Sequence, residues 1–172
     1  MASTHTRAET ERQVDSLLAG LPLDFEAMAV VSNLFRAANA VRSHLERSVL
    51  QEHGLSWTAF VVLWVTWIWA PVETRAIAEE GAFSKATLTG VLKTLEAKKL
   101  AKRTRSAEDG RLVLVDLPPR GRSLMESLFP SFNTQEARIV TPLSAAEKHT
   151  TAEALRKITG QIEQLDSAAP QR

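Results

Sequence analysis

Apolar residues recur three and four apart at Leu34, Ala38, Val41, Leu45 and Val49, the period of one face of a helix. Asp24 is placed to cap the start of that helix, with Leu23 and Met28 at the spacing of a hydrophobic staple. His53-Gly54 ends it, which gives a helix of about 40 Å, longer than a small domain covers alone. Ser56 caps a second helix, rich in tryptophan, that runs to Ala70 before Pro71 breaks it. Glu73 to Glu80 reads as a short helix with Ala76, Ile77 and Ala78 inward, and Gly81 supplies the turn after it. Ser84 caps the next helix, whose core stripe is Leu88, Val91, Leu92 and Leu95. Alternation then replaces the helical period. Ala101 to Arg105 and Leu112 to Leu117 read as strands joined through Glu108-Asp109-Gly110, where Asp-Gly favours a hairpin turn. Pro118-Pro119 opens a further helix, bent at Pro130 and reaching Val140. Ser144 and Glu147 form a capping box before a last helix with Leu155, Ile158, Ile162 and Leu165 on one face.

This order predicts a mainly α protein with a small β-hairpin wing. Residues 55–117 form a winged helix-turn-helix lobe, and 23–54 and 118–166 are dimerisation helices. The ends, 1–22 and 167–172, read as flexible tails. Long helices at both ends, each with an apolar seam outside a compact lobe, are most simply satisfied by packing across a two-fold axis. The expected assembly is a homodimer.

Charge sharpens the picture. The whole chain carries +1, but Ser84 to Arg111 holds eight cations against three anions, so the rest sums to −4. A basic stripe on a helix and hairpin is the electrostatic footprint of a reader of double-stranded DNA. On the helix from Ser84, the face opposite Leu88 carries Ala86, Gly90, Lys93 and Ala97, flanked by Thr87, Thr89 and Thr94, with Lys85 at its start. Small residues let a helix sit deep in the major groove, where threonines meet base edges or phosphates. Asp109 beside Arg111 permits an ion pair that would hold the guanidinium at the hairpin tip, poised for the narrow minor groove. Arg103 and Arg105 share one face of a strand and are expected at phosphates. Lys98 and Lys99 read equally as phosphate contacts or as complements to a helix C-terminus. A winged helix that only binds other proteins is the alternative, but it has no need of such a stripe.

The segments LSWTAFVVLWVTW, IAEEGAFSKATLTGVLKTLEAKKLAKR and DGRLVLVDLPPRG resemble the MarR family of bacterial and archaeal transcriptional regulators over roughly residues 30 to 165. The family's wing motif appears as Asp109-Gly110-Arg111, the strand to Asp116, and Leu117-Pro118-Pro119-Arg120-Gly121, with Pro118 in place of the usual Thr cap. Glu73 stands where the family has a Ser or Thr cap. The resemblance implies a homodimer reading a pseudo-palindromic operator, most often as a repressor. It implies that Arg111 enters the minor groove while Asp109 orients it, and that an effector cleft lies beside the tryptophan helix.

Trp57, Phe60 and Trp64 share a face of that helix, and Trp67 continues it. They read either as core or as the wall of a cleft for a small planar aromatic effector, with Arg42 and His44 as polar handles. Trp57 opens the helix and, of the four tryptophans, has the strongest claim to partial exposure. No cysteine is present, and the histidines lack metal-ligand spacing. No nucleophile elbow, phosphate loop or HExxH occurs, so neither an enzyme nor a cofactor or metal is expected. The apolar run Leu55–Val72 is too short to span a membrane, and the N-terminus lacks a secretory pattern, so a cytoplasmic protein is expected.

Overall fold

A computed structural model describes residues 5–168 of the chain. They divide into two compact units, Met1–Arg42 and Ser43–Arg172. Seven α-helices and three short strands follow in the order α1 (Arg7–Leu18), α2 (Phe25–Leu45), α3 (Trp57–Trp69), β1 (Val72–Glu73), α4 (Thr74–Glu80), α5 (Lys85–Ala97), β2 (Lys102–Arg105), β3 (Val113–Asp116), α6 (Pro119–Ile139) and α7 (Ala145–Ala168). No helix of the described residues is long and apolar enough to cross a membrane.

The first unit corrects the expectation of a tail over residues 1–22. Residues 7–18 form α1, started by a reciprocal capping box: Glu9 N–H donates to Thr6 Oγ1 at 3.2 Å, and Thr6 N–H to Glu9 Oε2 at 2.6 Å. Two of the orphan donors at that helix end are thereby satisfied, which is why a polar segment still holds a helix. Residues 1–4 and 169–172 lie outside the described residues. Asp24 caps α2 as expected, accepting from Ala27 N–H at 2.8 Å.

α2 does not run unbroken to His53-Gly54. A π-helical turn over Glu46–Leu50 and a 3-10 turn over Gln51–His53 carry the chain to Gly54, whose φ of 62° gives a left-handed cap. Glu46, within the π turn, accepts from Trp57 N–H at 3.1 Å and so ties the turn to the start of α3. Ser56 adds the expected cap, accepting from Ala59 N–H at 3.2 Å.

The core of the second unit is built from α3 (Val62, Leu63, Val65), Ile77 of α4, Leu88, Leu92 and Leu95 of α5, Val115 of β3, and Met125 and Leu128 of α6, all buried. Thr66 is buried with them and donates to Val62 C=O at 2.7 Å, so its hydroxyl is satisfied. The wing is not a lone hairpin. β3 lies between β2 and β1 in an antiparallel sheet, with Val72 opposite Val115 and Arg103 opposite Val115 on the other edge. The two residues of β1 were too few for an alternating pattern to show. Ala76 is exposed, and only Ile77 of that short helix is fully inside.

Gly121 of the wing motif has a specific cause. It is buried, and a Cβ there would fall on the Leu100 carbonyl, so α6 packs on the chain between α5 and β2 only with glycine at this position. Pro118, in place of threonine, makes no side-chain cap, and Pro119 starts the helix through its preset φ. At the far end, Ser144 and Glu147 form the expected reciprocal box on α7.

Candidate nucleic-acid interface

Ser84 starts α5 by accepting from Thr87 N–H at 3.1 Å, which fixes the end of the helix that the sequence marks as the reader. Lys85, Ala86, Thr87, Thr89, Gly90 and Lys93 are all exposed, as the helical period requires with Leu88, Leu92 and Leu95 buried opposite. A Cβ at Gly90 would meet nothing within 4 Å, so no packing inside the chain demands glycine there. The threonine hydroxyls are already engaged: Thr89 donates to Lys85 C=O at 2.8 Å, Thr94 to Gly90 C=O at 3.2 Å, and Thr87 shares a 2.8 Å bond with Ser84. Their lone pairs and methyl groups remain for a partner.

At the wing tip the structure corrects two details. Gly110 does not adopt positive φ, so Asp109-Gly110 is not the two-residue primed turn expected. A longer loop takes its place. Ser106 Oγ accepts from the N–H groups of Glu108 and Asp109, and Ser106 N–H donates to Leu112 C=O at 3.0 Å. The second correction concerns the expected Asp109–Arg111 ion pair, which is not made. Asp109 Oδ1 instead accepts the Arg111 backbone N–H at 2.9 Å. Asp109 therefore shapes the loop, and the exposed Arg111 guanidinium makes no ion pair among the described residues.

Arg103 and Arg105 divide. Arg103 lies against Glu96, with Nε 3.0 Å from Oε1 and its backbone N–H 3.1 Å from the same oxygen, and a second contact closes the fork. The Arg103 hydrogen bond holds the Glu96 carboxyl below its ordinary value, and the same bond raises Arg103. This pair joins the C-terminal half of α5 to β2. Arg105 stays exposed. Sequence reasoning missed Glu96, although its being the lone carboxylate of the reader helix was the available signal.

The tryptophan face is also resolved. Phe60 is buried and stacks on Phe132 of α6 with ring centroids 4.3 Å apart, while Trp64 stacks on Phe129 at 4.6 Å. Trp57 tilts against Phe132 at 6.3 Å. Phe129 and Phe132 fill the face, and Phe60 belongs to the core. Trp69, 65% exposed, is the open tryptophan, whereas Trp57 is half-buried. His44 approaches Gln135 at 3.5 Å; Arg42, in the first unit, donates to Asn39 Oδ1 at 3.3 Å.

On α7, Leu155, Ile162 and Leu165 are 40, 51 and 60% exposed and Ile158 is half-buried, so the apolar stripe of this helix is left largely open among the described residues.

Comparison with known proteins gives this geometry a family. The family model for the transcriptional regulators SarA and Rot matches residues 44–128. The HTH-type transcriptional regulator YwaE of Bacillus subtilis strain 168 is 36% identical over 140 residues, 81% of this chain and 82% of that protein. The chain belongs to the MarR family of winged helix-turn-helix regulators. A MarR/EmrR family regulator from Acinetobacter sp. ADP1 shares the fold with a TM-score of 0.73 at 20% identity, over 83% of this chain and 99% of that one. BpsR of Bordetella bronchiseptica, whose DNA binding is regulated by 6-hydroxynicotinic acid, matches at TM-score 0.69 and 29% identity, over 76% and 98% of the two chains. Members of the MarR family act on transcription, which accounts for the winged lobe and the basic stripe together.

Proposed function

We propose that this MarR-family chain acts as a homodimeric repressor that reads a pseudo-palindromic operator. In this reading α5 enters the major groove with Lys85, Ala86, Thr87, Thr89, Gly90 and Lys93, and Arg111 reaches the adjacent minor groove. The observation that carries it is the combination of an open face at Gly90 with exposed cations on the same helix and on the wing that make no ion pair among the described residues. A glycine that packing does not need, in mid-helix, costs about 1 kcal/mol against alanine. Close approach of a partner backbone accounts for it. Arg105 is assigned to a phosphate, while Arg103 serves first to fix β2 against α5 through Glu96.

Dimerisation is assigned to residues 23–54 and 118–166, with Leu155, Ile158, Ile162 and Leu165 meeting the partner. The exposed stripe on α7 supports this, because a stripe of that length in water is otherwise unfavourable by about 25 cal/mol per Å². Two reader helices then match successive major grooves about 34 Å apart. A planar aromatic effector is expected to shift that spacing and lower operator affinity. The regulation of BpsR by a planar aromatic acid supports this part. The half-buried edges of Trp57 and Trp64, with His44, are the residues assigned to meet it.

Selection from a pool of random duplexes tests the reading. An enriched inverted repeat with half-sites one helical turn apart is the expected product. Enrichment of a single half-site, or of no sequence, would contradict it.

A further inference from the structure

A second basic site lies away from the reader face. His53, Lys98, Lys99 and Arg120, with Ser123 and Ser127, line an open cleft of about 720 Å³ between the end of the 3-10 turn, the end of α5 and the start of α6. That volume falls in the range of small-molecule sites. None of the described residues lining it carries a carboxylate. Glu52 engages the His53 imidazole at 3.3 Å, and Lys98 Nζ donates to Gly54 C=O at 2.7 Å. Lys99 and Arg120 have neither an ion pair nor a side-chain hydrogen bond among the described residues.

Two local penalties converge on this cleft. Lys99 holds φ of 59°, the left-handed region that L side chains disfavour and that glycine takes at helix ends. Arg120 sits in the first turn of α6, where the helix dipole already presents positive charge and a carboxylate would be favoured. Conformation argues against a side chain at Lys99 and electrostatics against a cation at Arg120, yet both positions carry a cation and both line the same hollow. Strain of this kind is a mark of a functional site. The reader helix does not explain it. At about 100° per residue, Lys98, the C-cap of α5, falls about 140° around the axis from Lys93, and Lys99 lies past the helix end, where the backbone has turned into the left-handed region. The cleft's cations therefore lie off the face assigned to the major groove.

We infer that this cleft binds a small phosphorylated molecule carrying two or more phosphate charges. Lys99 and Arg120 supply the charge, Lys98 and the two serines add donors, and three cations with hydroxyls suit several phosphate oxygens better than one carboxylate. Bound there, the anion bridges the end of the reader helix to α6, which leads into the chain carrying the dimer stripe. The site stands apart from the proposed operator contacts, so it is testable without DNA.

The test uses the full chain and sodium tripolyphosphate, with sulfate at matched ionic strength as control. Calorimetric titration should show saturable binding of tripolyphosphate to the wild type. The double variant Lys99→Gly with Arg120→Ala should bind at least tenfold more weakly. That variant should also melt no lower than the wild type when no anion is present, because each change removes a local penalty. A purely structural role would move the melting temperature down instead. Lys93→Ala should bind tripolyphosphate as the wild type does. Absence of saturable binding, equal affinity in the double variant, or an equal loss in Lys93→Ala would each overturn the assignment. So would a double variant that loses only DNA affinity, which would give the cleft to a duplex backbone.

Discussion

Glu96 and Arg103 show how one pair decides what a basic stripe has free for a partner. The guanidinium and backbone N–H of Arg103 both engage one carboxylate, so this arginine is oriented by α5 before any DNA arrives. The Arg103 bond lowers the Glu96 pKa from its ordinary value near 4.5. A carboxyl depressed in the folded state contributes stability above its unfolded value, and that contribution is lost as pH falls from there through the folded value. The melting temperature of the wild type should therefore drop on acidification below about pH 4.5, and Glu96→Gln should show less of that drop. Parallel curves for the two proteins would remove the pair from the stability account. Gly121 makes a second claim at this scale. Gly121→Ala forces a methyl onto the Leu100 carbonyl, and backbone cannot swing aside as a side chain does. A loss of roughly 1 to 3 kcal/mol is expected by chemical denaturation. A variant as stable as the wild type would show that α6 can shift without cost.

Among the elements, those with caps and long periods were legible in the sequence, and those made by pairing were not. Ser56, Ser84 and Asp24 each cap the helix expected of them, because the bond they make is local. β1 was hidden, since two residues become a strand only through the edge of β3 that they meet. Glu96 was hidden in the same way, its partner being seven residues on and in a different element. The wing tip failed for a different reason. Asp109-Gly110 has the residues of a primed turn, but Ser106 and Asp109 take up the local N–H groups first and build a wider loop. Composition alone makes residues 7–18 a tail, whereas the Thr6–Glu9 box starts a helix there. The aromatic face was found but its cover was not: Phe129 and Phe132 sit on α6, some seventy residues from Trp57 and Phe60. Phe132→Ala should leave a void against Phe60 and destabilise by about 3 to 5 kcal/mol, read by denaturant unfolding. A loss below 1 kcal/mol would mean that the α3–α6 contact repacks freely.

The molecule as a whole presents a folded winged lobe and, on α7, an apolar stripe left largely open among the described residues. Joining the two is the argument for a dimer on a two-fold operator. Ile162→Asp with Leu165→Asp should shift the chain toward monomer in sedimentation and lower operator affinity at the same protein concentration, because each buried aliphatic contributes about 1.5 to 3 kcal/mol. A doubly substituted chain with wild-type assembly would place the interface elsewhere. The central claim is that the open face of α5 and the exposed Arg111 together read DNA. It is tested most directly by fluorescence anisotropy on the selected duplex across a range of salt, comparing the wild type with Arg111→Ala and Lys93→Ala. Arg111→Ala should weaken binding at least about tenfold with an unchanged melting temperature. Lys93→Ala should weaken it and lower the salt slope by about one, as the loss of one phosphate contact requires. Affinities and slopes equal to those of the wild type in both variants would contradict the account.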